Sequence, residues 1–247
     1  LDMGTQGVYN TLAYWDEYKD EILFTGIFGS QEQRDTIPVY RKNGLTFSLL
    51  TYTYGTNGIL PSQPYFVNYF DPELVTRDVT RAKEISDFVI VASHMGDEHS
   101  FSPNQMQLDY SQLYADLGVD VVLGTHSHTI QPVEWVEGKD GHKTLVNYSF
   151  GNTLASTLSS INLLGGSLSF DFVYDHGDYS VENVYFDPHV IHYEVPEGEP
   201  IEARTDFNVY KLADYTDELA ASHALNGYED NIIIREFFQN IVDDGVD

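Results

Sequence analysis

Two uninterrupted apolar runs constrain this chain more than any other feature: "DFVIVAS" at 87–93 and "VDVVLG" at 119–124. Neither alternates polar with apolar residues. Each therefore reads as a strand buried on both faces, as in a parallel sheet covered by helices. Between them "SPNQMQLDYSQLYADLG" (102–118) has helical periodicity, with Met106, Tyr110, Leu113 and Leu117 on one face. Ser102 is its expected N-cap, Pro103 follows, and Gly118 supplies the stop. Upstream, "LTFSLLTYT" (45–53) reads as a strand. "DPELVTRDVTRAKEIS" (71–86) reads as a helix capped by Asp71, with Pro72 at its first position and an apolar face of Val75, Val79 and Ala82. Strand, helix, strand, helix, strand in this order argues for parallel βαβ units.

The flanks are different in kind. Residues 5–19 read as a helix through Val8, Leu12 and Trp15, and "EILFTGI" (21–27) as a short strand. Beyond residue 130 the pattern turns to successive strands joined by tight turns, with a hairpin signal at "DHGD" (175–178). "FNVYKLADYTDELAASHAL" (207–225) and "NIIIREFFQNIV" (231–242) are expected as helices. The resulting division is an α/β domain over 1–195, then a polar linker and C-terminal helices over 196–247. Acidic residues outnumber basic ones 39 to 12, for a formal net charge of −27. Nucleic acid and anionic membranes both require a basic footprint, so neither is an expected partner. The absence of cysteine removes thiolate metal sites, cysteine nucleophiles and disulfides.

Topology gives the histidines a meaning. The first buried strand ends in Ser93-His94-Met95-Gly96, the second in Thr125-His126-Ser127-His128. Open α/β sheets bind ligands at the carboxyl edge of their strands. If the two strands are parallel neighbours, His94 is expected beside the 126–128 turn. Residues two apart in an extended segment face one side, so His126 and His128 are expected to converge with it. Neutral imidazoles suit zinc, iron, manganese or nickel. A hydrolytic dinuclear site also needs a bridging carboxylate. Asp97, Glu98 and His99 follow His94 closely and are read equally well as ligands or as a solvated acidic turn. His189 and His192 would lie on opposite faces of a strand, and His142, His176 and His223 are expected at the surface. Ser127 gives no nucleophile signal, and no G-x-S-x-G, P-loop or dinucleotide fingerprint is present.

Residues 85–155 resemble the CapA-type poly-γ-glutamate capsule synthesis proteins, a branch of the calcineurin-like metallophosphatase superfamily. The resemblance rests on His94-Met95-Gly96 with Glu98, on Gly124-Thr125-His126-Ser127-His128 with Gln131-Pro132, and on Tyr148-Ser149-Phe150-Gly151-Asn152, in order and at matching spacing. Met95 stands where that family usually has Trp. The fold this implies is α/β, a metallophosphatase-like β-sandwich with flanking helices. His94, His126 and His128 are implied as metal ligands, and Asp2 and Glu98 as residues at the catalytic site. A complete site would hold two divalent ions, manganese, iron or zinc. The family's opening motifs, a Gly-Asp and an Asn-Asn-His, would precede Leu1-Asp2-Met3-Gly4, so the chain is expected to lack its first strands and part of the dinuclear site.

The implied activity is metal-dependent phosphoesterase-like hydrolysis on an anionic polymer or phosphoester. The implied location is the extracellular face of the bacterial membrane, through an N-terminal anchor absent from this chain. The alternative is a non-catalytic envelope protein that binds polymer or partner proteins, with the aromatic loop 52–70 as its platform. Self-association through strand edges left open is expected as well.

Overall fold

The computed structural model describes residues 1–245 as a mixed α/β protein with two compact units. The first comprises Leu1–Met95, Asp109–Leu123 and Trp135–Val146; the second comprises Gly96–Leu108, Gly124–Glu134 and Asn147–Asp247.

The first unit is built on a six-stranded sheet. In chain order its strands are β1 (Val39–Lys42), β2 (Leu45–Thr53), β3 (Phe88–His94), β4 (Val121–Thr125), β5 (Val133–Glu137) and β6 (Lys143–Asn147), arranged β1-β2-β3-β4-β6-β5. β2 and β3 are parallel in register from Phe47↔Phe88 to Thr53↔His94. β1 pairs antiparallel with β2 across Asn43-Gly44, both at positive φ. β3 and β4 are neighbours, as the paired apolar runs require. Phe88, Val89 and Val91 of β3 and Val121 and Val122 of β4 are all but inaccessible to solvent.

Helix α1 (Gly4–Asp16) precedes the sheet, and the single-turn α2 (Gln31–Asp35) carries the buried Arg34. Helix α3 (Pro72–Ile85) begins where Asp71 accepts from the Leu74 N–H at 2.8 Å and buries Val75, Val79 and Ala82. Each valine so buried is worth about 1.5–3 kcal/mol relative to exposure. Its one buried acid, Asp78, is paired with Arg34 at 2.9 Å, and Arg34 Nε also donates to Asn68. The stretch 21–27 forms no strand; Phe24 instead stacks on Trp15 of α1, with ring centroids 5.5 Å apart.

Helix α4 (Gln105–Asp116) starts later than its sequence suggests. Its cap is Asn104, which accepts from the Gln107 N–H at 3.1 Å, while Gln107 Oε1 accepts from the Asn104 N–H at 3.0 Å. This reciprocal capping box outcompetes Ser102, whose backbone serves the loop before the helix.

In the second unit a three-stranded antiparallel sheet, β7 (Leu164–Asp175), β8 (Asp178–Glu194) and β9 (Thr205–Lys211), packs with α5 (Asp217–Ser222) and α6 (Arg235–Gly245). Leu164, Val190, Ile191, Tyr193, Leu212, Tyr215, Leu225 and Phe238 form its core. β7 and β8 make the expected hairpin, turning on His176-Gly177, both at positive φ. Residues 207–211 correct the sequence reading: they are strand rather than helix, because pairing with His189–Glu194 uses their backbone groups. His223 is also corrected. It lies in the core at 2 % exposure, accepting from the Leu225 N–H at 3.0 Å.

Candidate functional site

The second unit holds the loop after β4 together with the loop after β3. Gly124, the next-to-last residue of β4, has no room for a side chain, because a Cβ there would lie 2.0 Å from the Tyr148 carbonyl oxygen. Gly96, at φ +128°, opens the loop after β3, and its Cβ would lie 2.8 Å from Gln107 Oε1. Two fully buried glutamines join the segments. Gln107 Nε2 donates to Gln131 Oε1 at 2.7 Å and to the Tyr148 carbonyl, while Gln131 Nε2 donates to the Ser100 and Ser102 carbonyls at 3.0 Å. Ser127 is also fully buried; its hydroxyl donates to the Thr129 carbonyl and closes the turn.

This framework sets the histidines. His126 and His128 do not sit in extended backbone. Their φ angles are +115° and +59°, and that of His99 is +64°. Non-glycine residues at positive φ carry strain that the surrounding structure must hold. The alternation expected for His126-Ser127-His128 is therefore replaced by a tight bend, which the Ser127 hydroxyl and the His99 N–H to Ser127 carbonyl bond (2.6 Å) stabilise. The His128 and His99 ring centroids are 6.2 Å apart, with their planes inclined by 30°. His128 Nδ1 is 2.8 Å from Asn152 Oδ1, so this nitrogen carries the proton and Nε2 keeps a free lone pair. His99 Nδ1 meets the Asn162 amide at about 3 Å, and Asn152 Nδ2 donates to the Asn162 carbonyl at 2.9 Å. Burial holds the His126 pKa below the ordinary imidazole value, and the neighbouring His128 adds to this, while Glu98 and Asp97 oppose it. Asp97 and Glu98 are exposed, with Asp97 accepting from Asn104 Nδ2.

In the first unit His94 ends β3, exposed, with the Tyr54 ring stacked on it at 6.0 Å. Asp2 is exposed ahead of α1 and lines, with Thr11, Ile27 and Thr56, a cavity of about 590 Å³. The loop 52–70 does not present its aromatic residues as one platform: Tyr52 and Phe66 are buried in the core.

Among the described residues, no group of three or more His, Asp or Glu side chains is arranged to hold a metal ion. The individual donors are of the right kind, since an imidazole pinned at one nitrogen by an outer hydrogen bond is how ligating histidines are presented. No local pattern marks Asn162 and Gln107 or joins them to His99; Gln131 and Asn152 are visible only as members of motifs.

These features define a mixed α/β protein with a strained histidine loop following a sheet strand. The family of bacterial capsule synthesis proteins, PGA_cap, matches residues 1–157, and the chain belongs to it. Its mixed α/β architecture, sheets with flanking helices, is of metallophosphatase type. The chain is 29% identical over 162 residues to the PGA biosynthesis protein CapA of Bacillus subtilis, covering 62% of this chain and 39% of that protein. It is 23% identical over 157 residues to the capsule biosynthesis protein CapA of Bacillus anthracis, covering 61% and 36%. The chain thus spans less than half the length of these curated relatives. A hypothetical protein from Thermus thermophilus aligns at 13% identity with a TM-score of 0.34, over 71% of this chain and 60% of that one, too loose to carry an argument. No helix among the described residues is long and apolar enough to cross a membrane.

Proposed function

We propose that this protein acts in capsule synthesis of the poly-γ-glutamate type at the outer face of the bacterial membrane, as a metal-dependent hydrolase of phosphoester-like bonds. One observation carries the metal reading: His128 is presented as a ligand imidazole, its Nδ1 on Asn152 and its Nε2 lone pair free, in a loop whose strain the fold maintains. His126 sits in the same loop with its proton affinity lowered, which favours the neutral, ligating form. For His94 and Asp2, in the other unit, and for Glu98 as a catalytic group, the proposal rests on motif resemblance. When bound, manganese, iron or zinc would polarise the phosphoryl oxygen and supply a water of lowered pKa. The Asn152 contact keeps His128 in the tautomer that such an ion requires.

A second reading is a non-catalytic envelope protein that binds polymer or partners. One pair of measurements separates the two. Calorimetric titration of Mn²⁺ or Zn²⁺ into the whole protein should show binding that His126→Ala and His128→Ala each weaken at least tenfold. Hydrolysis of bis(p-nitrophenyl) phosphate should fall with them. Unchanged metal affinity in both variants sinks the metal reading; intact metal binding without turnover leaves the second.

A further inference from the structure

The β7–β8 hairpin extends well past the core it springs from. β9 pairs with β8 only from His189 to Glu194. From Asp178 to Asp187 no strand among the described residues pairs with the outer edge of β8. Two-stranded ribbons of this kind are marginal in water without a covering layer.

The two faces of this ribbon differ. Register puts Phe172 opposite Val181 and Tyr174 opposite Tyr179 on one face. The Tyr174 and Tyr179 rings are 4.9 Å apart, and these tyrosines are 54% and 47% exposed. Beyond the register shift between Ser169 and Asp171, Tyr185 stands opposite Ser169 and so falls on the opposite face, 63% exposed. None of these residues belongs to the core of the unit. Tyrosines with this exposure on a regular surface are typical of contact patches. The other face opposes Asp171 to Glu182 and Asp175 to Asp178. Like charges directly across a sheet destabilise it. No lysine or arginine occurs anywhere from Thr144 to Ala203 to offset them.

The place where β9 ends shows how such charge is answered. Lys211, its last residue, forms an ion pair with Asp187 of β8. Beyond it the carboxylates continue and the cations stop. A second copy of this chain, itself at −27, is a poor complement for that surface.

We propose that the β8 edge from Asp178 to Asp187, with the Tyr174–Tyr179 face, docks a basic segment of a partner protein as an added strand continuing the line of β9. Main-chain hydrogen bonds supply the register, the tyrosines the apolar contact, and alternate lysine or arginine side chains meet the opposed carboxylates.

An alternating (Lys-Val)4 peptide serves as the probe against the isotopically labelled whole protein. Its binding should shift the amides of 178–187 and slow their hydrogen exchange at least tenfold at 0.15 M salt. Glu182→Lys should weaken it at least tenfold, as should Tyr174→Ser with Tyr179→Ser, a pair that removes no charge; circular dichroism confirms that the variants fold. A (Glu-Val)4 peptide should leave the amides unmoved. The proposal is overturned if the peptide shifts amides elsewhere, or if the tyrosine variants bind it as tightly as the parent. It is equally overturned if the free protein sediments as a dimer with these amides already protected, since the edge then belongs to a second copy.

Discussion

Asn152 decides what His128 can do. By accepting from Nδ1 it fixes one tautomer, and Nε2 is the nitrogen left to donate a lone pair. Asn152→Leu should therefore release the tautomer, visible as averaging of the His128 ring nitrogen shifts, and weaken Mn²⁺ or Zn²⁺ binding about 10–100-fold with the fold intact. Sharp, unaltered ring shifts in that variant would show that the asparagine does not set the tautomer. His223 illustrates a different use of the same residue type. Buried against Ile191, His192 and Tyr193, it has its pKa pushed down to about 4, first by desolvation and then by the charge of His192. The folded state thus binds its proton less readily than the unfolded chain. The stabilisation is complete above the unfolded value near 6.5 and is lost as pH falls toward 4, by roughly 3 kcal/mol. Denaturant midpoints between about pH 7 and 4 should decline accordingly, and His223→Gln should flatten that decline. A slope equal to the parent's would assign the acid sensitivity to another group.

At the scale of elements, local chemistry sets boundaries that periodicity alone misplaces. The capping box at Asn104 and Gln107 should be worth about 1 kcal/mol, so Asn104→Ala should lower the unfolding free energy measured in urea by that amount; an unchanged unfolding free energy would return the cap to Ser102. The β3, α4 and β4 succession and the cap of α3 are legible in the sequence because burial on both faces and Asp-Pro leave local signatures. The β1 strand is equally open to reading, through the hairpin signal Asn43-Gly44, yet the sequence expectation begins only at Leu45. β9 is not legible: Val209 and Tyr210 fit either element, and only the distant pairing partner on β8 decides. The site divides in the same way. His126 and His128 announce themselves by spacing, but their bend depends on Ser127, and the partners of His128 and His99 come from Asn152 and Asn162, too far along the chain for any local pattern.

For the molecule as a whole, a net charge of −27 bears on the proposed polymer partner. Poly-γ-glutamate is anionic, so direct association is opposed by Coulomb repulsion unless cations intervene. Binding of poly-γ-glutamate should therefore require divalent metal, vanish with EDTA, and be lost in His128→Ala. Equal binding with and without chelator would point to a metal-independent polymer surface. The match to the capsule synthesis family covers residues 1–157, while the long hairpin lies beyond it.

The cation-free run has a practical side. Trypsin cuts after lysine and arginine, so it releases everything from Thr144 to Arg204 as one fragment: Asn152, Asn162, the whole ribbon and His176, His189 and His192 under a single mass. Tryptic mapping is blind within that span. Chymotrypsin is not, because Tyr174, Tyr179 and Tyr185 stand at about half exposure on the ribbon. Cleavage at those tyrosines offers a clock for whether the ribbon is bare or covered.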